Sequence, residues 1–301
     1  MTSPVSGGQP SVPVCYRHPG RETYIRCTRC DRPICPDCMV VASVGHQCPE
    51  CVAEGRKTQR PALTHFGGSQ AGVHGYVTKA LLGINVLVFL LTLALTGGRA
   101  LMGGISELHV WGAVNGSGEV QANDGTFIPI GYPGIDGGDY YRLLTAMFLH
   151  YGIIHLLLNM YALYILGRSL EAALGPVRFA ALYLLAGLGG NVACYVFAPN
   201  ALSAGASTAI YGLFAAYFLI LKRLGRDASS VIPIILINVV LTFTIPGISI
   251  AGHLGGLVTG AVAGAGLAYA PREHRSLIQG LVLGVTFVAL AGITLALALT
   301  R

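Results

Sequence analysis

Apolar residues dominate the chain from about residue 77 onward, in long blocks that short polar segments separate. Seven of these blocks approach the ~20 residues that an α-helix needs to cross the hydrocarbon core of a bilayer. The predicted spans are Val77–Thr96, Ala146–Leu166, Phe179–Phe197, Ser203–Leu221, Val231–Ile245, Ile250–Tyr269 and Leu277–Leu297. The fifth is short and is interrupted by Pro233 and Pro246. The pattern predicts an all-α polytopic membrane protein.

Composition agrees with this interpretation. Apolar residues make up 53% of the chain and charged residues 11%, whereas about a quarter of a soluble domain is charged. The first residues, Met1–Val14, have no apolar stretch of the kind found in a cleavable signal peptide. The net charge of +6 comes from basic residues whose positions fit a membrane topology, as described below. We therefore expect no nucleic-acid partner.

The basic residues predict the orientation of the spans. With the N-terminus in the cytosol, Arg99, Arg142 and Arg301 are the outer ones, and the other 16 of the 19 Lys and Arg residues lie inside. Cytoplasmic loops carry the excess of basic residues. We therefore expect a multi-pass protein with a cytosolic N-terminus, in a bacterial cell membrane.

A long polar segment, residues 97–141, separates the first two predicted spans on the outer side. It is rich in glycine and acids, yet it contains an apolar cluster around Trp111. Tryptophan favours the headgroup level of a bilayer. We expect this loop to lie partly in the membrane interface, although a freely exposed loop is an alternative.

The N-terminal segment carries seven of the eight cysteines, which together with His18 form four closely spaced pairs in chain order, each separated by two residues. Such pairs in a polar segment fit metal thiolates better than disulfides. In alternate pairing, the first and third pairs bind one metal ion and the second and fourth pairs bind another. This arrangement predicts two tetrahedral zinc sites: Cys15, His18, Cys35 and Cys38 in one, and Cys27, Cys30, Cys48 and Cys51 in the other. His46 is a ninth candidate that could displace Cys48 or Cys51. The pattern resembles a B-box-type zinc finger.

These features divide the chain into four predicted parts. Residues 1–52 form the zinc-binding module, 53–76 a linker, 77–270 a membrane core and 271–301 an additional C-terminal transmembrane helix. Filled four-ligand sites leave no open position for catalysis, so the two zinc ions are expected to be structural. The module either docks a protein partner or is merely structural. A chain starting near Val73 is expected to fold and to act without it.

Four polar side chains lie inside predicted spans, where polar groups are costly and are therefore candidates for function. His155 and Asn159 are four residues apart on one helix face. Ser207 and His253 each lie near the outer end of a span. A lone serine or histidine in a membrane helix is usually an interhelical contact. Here the polar residues of three different spans lie at a similar depth, which instead favours a functional site.

Small residues predict that two of these helices pack closely. One set recurs every fourth residue along the helix of His253 and the other lies along the helix of Ser207. Small residues let the backbones of membrane helices approach each other. The two sets are Gly252, Gly256, Gly260 and Gly264, and Gly205, Ala209, Gly212 and Ala216. Such packing would bring Ser207 within reach of His253.

These motifs resemble the rhomboid family of intramembrane proteases over roughly Lys79–Ala270. The segment 205–208, Gly-Ala-Ser-Thr, is similar to the family's nucleophile motif, and His253 with Gly256 and Gly260 resembles its histidine segment. Further similarities are His155-x-x-x-Asn159, Tyr141-Arg142 and Trp111-Gly112-Ala113. The chain departs from the common family pattern at Thr208, where many members have glycine, and at Gly252, where many have alanine.

The resemblance implies a six-helix rhomboid core and a serine protease in which Ser207 is the nucleophile and His253 its base. Tyr211 is expected to pack against the ring of His253. His155, Asn159 and the Ser207 N–H are the expected oxyanion donors, with Gly205 and Gly256 in support. The expected substrates are transmembrane segments, cleaved near the outer face of the bilayer without a catalytic cofactor.

A serine protease usually has a carboxylate that orients its histidine. After Asp139 the acids are Glu171, Asp227 and Glu273, all at predicted cytosolic ends of spans. The sequence therefore predicts a Ser–His dyad.

Three rival interpretations compete with the protease. An inactive rhomboid-like protein that binds membrane clients fits the fold, but it would not need both Ser207 and His253. A transporter would be expected to have an inverted repeat, which the hydropathy pattern lacks. A membrane metalloprotease would need a motif such as His-Glu-x-x-His, which is absent from the sequence.

Overall fold

The computed structural model describes residues 12–58, 62–122, 124–229, 231–244 and 247–301. It divides the chain into two units, Met1–Pro61 and Ala62–Arg301. The last residue of the fifth predicted span, Ile245, and the neighbouring Pro246 lie outside the described residues.

The first unit is small and has little secondary structure. Strands β1 (Val40–Val41) and β2 (His46–Gln47) pair antiparallel, with Val40 opposite Gln47. Helix α1 follows at Pro49–Thr58, so the predicted linker begins with six helical residues. The buried core of the first unit consists of cysteines and Ile34. A core with so few large apolar side chains is typical of a domain that needs metal to fold.

The second unit is helical. Its helices are α2 (Tyr76–Thr96), α3 (Glu107–Gly112), α4 (Arg142–Thr145), α5 (Ile153–Leu174), α6 (Pro176–Phe197), α7 (Ser207–Arg223), α8 (Val231–Thr244), α9 (Ile250–Tyr269) and α10 (Arg275–Thr300). Within the described ranges, α2, α5, α6, α9 and α10 are long and apolar enough to cross a membrane. The other two predicted spans form the shorter helices α7 and α8. The predicted all-α membrane architecture is confirmed.

Two predicted spans begin later than the apolar pattern indicates. Helix α5 starts at Ile153 and not at Ala146, because Gly152 has a φ of 89° that interrupts the helix. Helix α7 starts at Ser207 and not at Ser203. Gly205 has a φ of 139° there, which L side chains rarely adopt. Ser207 is therefore the first residue of its helix.

The described residues of segment 97–141 fold around helix α3 and a hairpin of β3 (Glu119–Gln121) and β4 (Phe127–Pro129). Arg142 is fully buried and holds this segment to α4. Its Nη1 donates to the carbonyls of Val110 at 2.8 Å and Ala113 at 3.1 Å. The described part of the segment is thus an ordered cap, and a freely exposed loop does not describe it.

The close packing that small residues predicted is confirmed between α7 and α9. A Cβ at Gly256 would lie 1.9 Å from the Thr208 carbonyl oxygen, and one at Gly260 would lie 2.2 Å from Gly212 Cα. These are contacts that no larger residue allows. The N-terminal ends of α7 and α9 consequently lie side by side.

The second unit begins well before its first long helix. Phe66 is fully buried, and its carbonyl accepts from Gln279 Nε2 at 3.1 Å. Gly72 lies so close to α5 that a Cβ there would be 2.0 Å from the Glu171 carbonyl. A chain starting near Val73 would lack these contacts; that such a chain folds and acts without the first unit stays a prediction.

Candidate functional site

Ser207 and His253 meet where α7 and α9 begin. His253 Nε2 lies 2.8 Å from Ser207 Oγ, which is within the range of a good hydrogen bond. His253 is 8% exposed. A buried imidazole that contacts a serine hydroxyl in this way can accept the serine proton.

Groups from α7 and α8 contact the His253 ring at its face and at Nδ1, the nitrogen that does not face Ser207. The Tyr211 ring stacks on it with centroids 3.9 Å apart and an interplanar angle of 18°. His253 Nδ1 lies 2.8 Å from Thr242 Oγ1. Our sequence analysis did not identify Thr242. Its signal was present, because Thr242 and Asn238 are polar residues four apart in a helix whose other residues, except Thr244, are apolar.

His155 lies against the turn that precedes Ser207. A Cβ at Gly205 would lie 2.9 Å from His155 Nε2 and 3.3 Å from Ser207 Oγ. His155 Nδ1 accepts from the Tyr151 backbone N–H at 3.2 Å. The ring proton therefore belongs on Nε2, the nitrogen that faces Gly205 and Ser207. This tautomer makes His155 a hydrogen-bond donor beside the serine.

Asn159 lies one turn further along α5, and its Nδ2 donates to the His155 carbonyl at 2.9 Å. An amide nitrogen has two hydrogens, so a second N–H remains for another acceptor. Asn159, His155, Ser207 and His253 all line one cavity of about 1390 Å³. The structure thus brings together residues that distant sequence segments contribute.

The first unit gathers the predicted ligands into two clusters, as alternate pairing requires. Cys15, His18, Cys35 and Cys38 form one, and Cys27, Cys30, Cys48 and Cys51 form the other, with the ligand atoms of each within 4.8 Å of one another. In the described part of the chain these cysteines form no disulfides. His46 belongs to neither cluster; its carbonyl accepts from the Thr28 N–H at 2.9 Å. Both clusters are able to hold a metal ion.

The ligand separations fit a tetrahedral ion. Cys30 Sγ and Cys48 Sγ are 3.8 Å apart, and His18 Nδ1 lies 3.3 Å from Cys35 Sγ. Sulfurs ~2.3 Å from a central zinc are roughly 3.8 Å apart in a tetrahedron. Arg32 Nε donates to Cys30 Sγ at 3.3 Å and lowers the pKa of Cys30, which favours the thiolate that a metal binds.

Comparison with known proteins gives a consistent result for the second unit. A model of the Rhomboid domain matches residues 137–270. The chain is 42% identical to "Rhomboid protease GluP" of Bacillus subtilis (strain 168) over 135 residues, 43% of this chain and 26% of that protein. It is 36% identical to "Putative rhomboid protease YdcA" of the same organism over 133 residues, 42% of this chain and 67% of that protein. "RHOMBOID-like protein 6, mitochondrial" of Arabidopsis thaliana is 36% identical over 137 residues, with 43% and 44% covered.

The chain spans about a quarter of the length of GluP and under half of the Arabidopsis protein. Two thirds of YdcA is covered, at an identity that establishes relationship. The matched residues 137–270 include the helices of Ser207 and His253. Together with the apolar helices, this makes the protein a multi-pass integral membrane protein. The chain belongs to the rhomboid family.

Proposed function

We propose that this protein is an intramembrane serine endopeptidase that uses Ser207 and His253 as a catalytic pair. The observation that carries the proposal is the 2.8 Å contact between Ser207 Oγ and His253 Nε2 at the edge of a large cavity. Two relatives, GluP and YdcA, are named as rhomboid proteases. Their names support the same reaction class for this chain.

In the proposed reaction, Ser207 Oγ attacks the carbonyl carbon of the scissile peptide while His253 Nε2 takes the serine proton. His253 then donates that proton to the leaving amine, and water hydrolyses the acyl-enzyme by the reverse sequence. The developing oxyanion needs donors preorganised at its position. Candidates are His155 Nε2–H, the second Asn159 amide hydrogen and the Ser207 backbone N–H, which helix geometry leaves without an intrahelical partner.

The proposed substrates are membrane-spanning segments cleaved near the outer face of the bilayer. The cavity extends from Ser207 to apolar residues of α5 and α8, among them Ile154, Leu158 and Leu241. Two of these are more than half exposed on α5, at 70% for Ile154 and 66% for Leu158. An apolar approach of this kind suits a segment that arrives from lipid.

We further propose that the N-terminus is cytosolic in a bacterial cell membrane, on the basis of the distribution of Lys and Arg. Single cysteines at positions 57 and 223, in a background that keeps the native metal ligands, test this orientation. A membrane-impermeant maleimide added to intact cells should leave both unlabelled. Labelling of either position from outside would contradict the proposed topology.

A fluorophosphonate probe on the purified protein tests the reaction class. We expect the wild type to be labelled and Ser207→Ala and His253→Ala to lose both labelling and cleavage of a membrane substrate. Residues that act as a unit are not additive, so the double variant should be no worse than either single one. Ser203→Ala is a matched control, because Ser203 lines the same cavity. This variant should still be labelled at Ser207.

The alternative is a catalytically inactive rhomboid-like protein that binds membrane clients. A folded wild type that neither reacts with the probe nor cleaves any tested membrane segment would favour it. Labelling that persists in Ser207→Ala would instead place the reactive group elsewhere, and would contradict the proposed nucleophile.

For the first unit we propose two structural zinc ions in a B-box-type module that either docks a protein partner or is merely structural. One cluster offers three cysteines with a histidine and the other offers four cysteines, and both donor sets are those of structural zinc sites. Elemental analysis of the purified protein should find about two zinc ions per chain. Cys38→Ala and Cys51→Ala should each lose at least one. A zinc content near zero in the folded protein would contradict this assignment.

A further inference from the structure

Thr242 occupies a position on α8 at which its hydroxyl reaches the catalytic histidine. The residue is 3% exposed, and its Oγ1 lies 2.8 Å from His253 Nδ1. Most residues of helix α8 are apolar, and a buried hydroxyl has a cost unless it is hydrogen-bonded. The contact spans two different helices.

The hydrogen bonds around Thr242 provide an acceptor for its hydroxyl proton. Thr242 Oγ1 lies 2.8 Å from the Asn238 carbonyl oxygen. Tyr211 OH lies 2.6 Å from the same oxygen and 2.5 Å from Thr242 Oγ1. A threonine hydroxyl has a single proton. With that proton on the Asn238 carbonyl, the Thr242 oxygen accepts from His253, and His253 Nδ1 carries the hydrogen.

This arrangement selects one tautomer of His253. With the proton on Nδ1, the Nε2 lone pair faces Ser207 Oγ, 2.8 Å away, and is free to accept the serine proton. The opposite tautomer would present an N–H to Ser207 and could not act as its base. Among the described residues, Thr242 thus stands where serine proteases of the triad type have a carboxylate.

We propose that Thr242 is a positioning residue, which holds His253 in the tautomer and orientation required of the general base. The inference rests on the proposed protease function and extends it. Tyr211 stacks on the ring face and restricts its tilt, but only a group in the ring plane can select the protonated nitrogen. Thr242 supplies that group.

The prediction follows from removing the acceptor while keeping the side-chain shape. In Thr242→Val the Nδ1–H would be buried without a partner, which favours the tautomer with the proton on Nε2. We expect kcat to fall about 10- to 100-fold, a part of the ~10²–10⁴ that general base catalysis supplies. KM should change less than about twofold, because uniform binding is not affected.

The experiment uses the full chain in proteoliposomes, with a quenched membrane-segment substrate and a fluorophosphonate probe. Thr242→Ser restores the acceptor and should recover most of kcat. Thr244→Val is the matched control, because Thr244 also donates to the carbonyl four residues earlier, at 3.0 Å from Val240 O, but is exposed on the same helix. It should retain wild-type kcat. Thermal unfolding confirms that each variant is folded.

The outcomes separate this inference from the proposed function. If the wild type is active and Ser207→Ala is not, the protease assignment stands whatever Thr242 does. A folded Thr242→Val with wild-type kcat would then overturn the positioning role alone. Equal losses in Thr242→Val and Thr242→Ser, or in Thr244→Val, would also overturn it, because they would indicate disturbed packing of α8. Absence of labelling in the wild type would overturn the function itself.

Discussion

Thr208 and Gly252 fit together across the α7–α9 interface: a Cβ at position 252 would lie 3.1 Å from Thr208 Cγ2. On its other side the Thr208 side chain meets α6, where a Cβ at Gly190 would lie 2.6 Å from Thr208 Cβ. These are the two positions at which the chain departs from the common rhomboid pattern. Gly252, the residue before His253, leaves room for the Thr208 side chain and also for Cys194 Sγ, which would lie 2.7 Å from a Cβ at position 252.

Gly252→Ala should therefore be harmful here, although alanine is common at this position in the family. The added methyl group would meet Thr208 Cγ2 and, at 2.7 Å, Cys194 Sγ. Overpacking of this kind costs about 1–3 kcal/mol and would shift the adjacent His253. We expect a lower melting temperature in detergent and slower reaction with a fluorophosphonate probe.

The background and control for this test are both available in the chain. Thr208→Ser removes Cγ2, so Gly252→Ala should cost less in that background, as a double-mutant cycle would measure. Gly284→Ala is the control, because nothing lies within 4 Å of a Cβ added there. If Gly252→Ala behaves like Gly284→Ala, the proposed fit between Thr208 and residue 252 is wrong.

Asn159→Ala should slow turnover with little loss of substrate binding. Its amide lines the cavity beside Ser207, and removal of one oxyanion donor costs about 10²–10³ in kcat. Steady-state kinetics with a membrane substrate separates kcat from KM. Asn85→Ala is a comparison variant, because Asn85 Nδ2 also donates within its own helix, to Leu81 O. An equal loss of binding in Asn159→Ala would make Asn159 a structural residue.

Glu171→Gln should destabilise the second unit without changing the chemistry of the site. The buried carboxylate caps α2 by accepting from Val77 N at 2.9 Å, Thr78 N at 2.8 Å and Thr78 Oγ1 at 2.7 Å. A side-chain amide would turn its own N–H donors toward one of these groups, at a cost of about 1–3 kcal/mol. Thermal unfolding in detergent measures the loss. Glu273→Gln, at an exposed position, should leave the melting temperature unchanged; a similar value for both variants would contradict the capping role.

Removal of metal should unfold the first unit and leave proteolysis intact. Its core is built from the cysteine clusters, so it should lose its fold without metal and become sensitive to trypsin at its arginines. The single tryptophan, Trp111, lies in the second unit and reports on it independently. A chain truncated to begin at Ala62, which keeps Phe66, should cleave at the wild-type rate. Loss of activity with unchanged Trp111 fluorescence would instead make the first unit a regulator.

Much of the architecture follows from the sequence alone, because its signals are local. A membrane span is recognised from the composition of consecutive residues, so all seven predicted spans appear as helices. The cysteine clusters follow from short chelating pairs, and the α7–α9 contact follows from small residues such as Gly256 and Gly260 at a spacing of four. His155, Asn159, Ser207 and His253 were also predicted from the sequence, because polar groups in apolar spans are conspicuous.

The tertiary structure decided what depends on contacts between distant segments. The apolar pattern continues past Gly152 and Gly205, but backbone conformation at these glycines determines where α5 and α7 begin. Phe66 belongs to the second unit because the side chain of Gln279, 213 residues away, donates a hydrogen bond to the Phe66 carbonyl. Thr242 is 11 residues from His253, yet only the docking of α8 beside α9 aims its hydroxyl at Nδ1. Hydrogen bonds across an interface depend on relative helix placement, which no local spacing specifies.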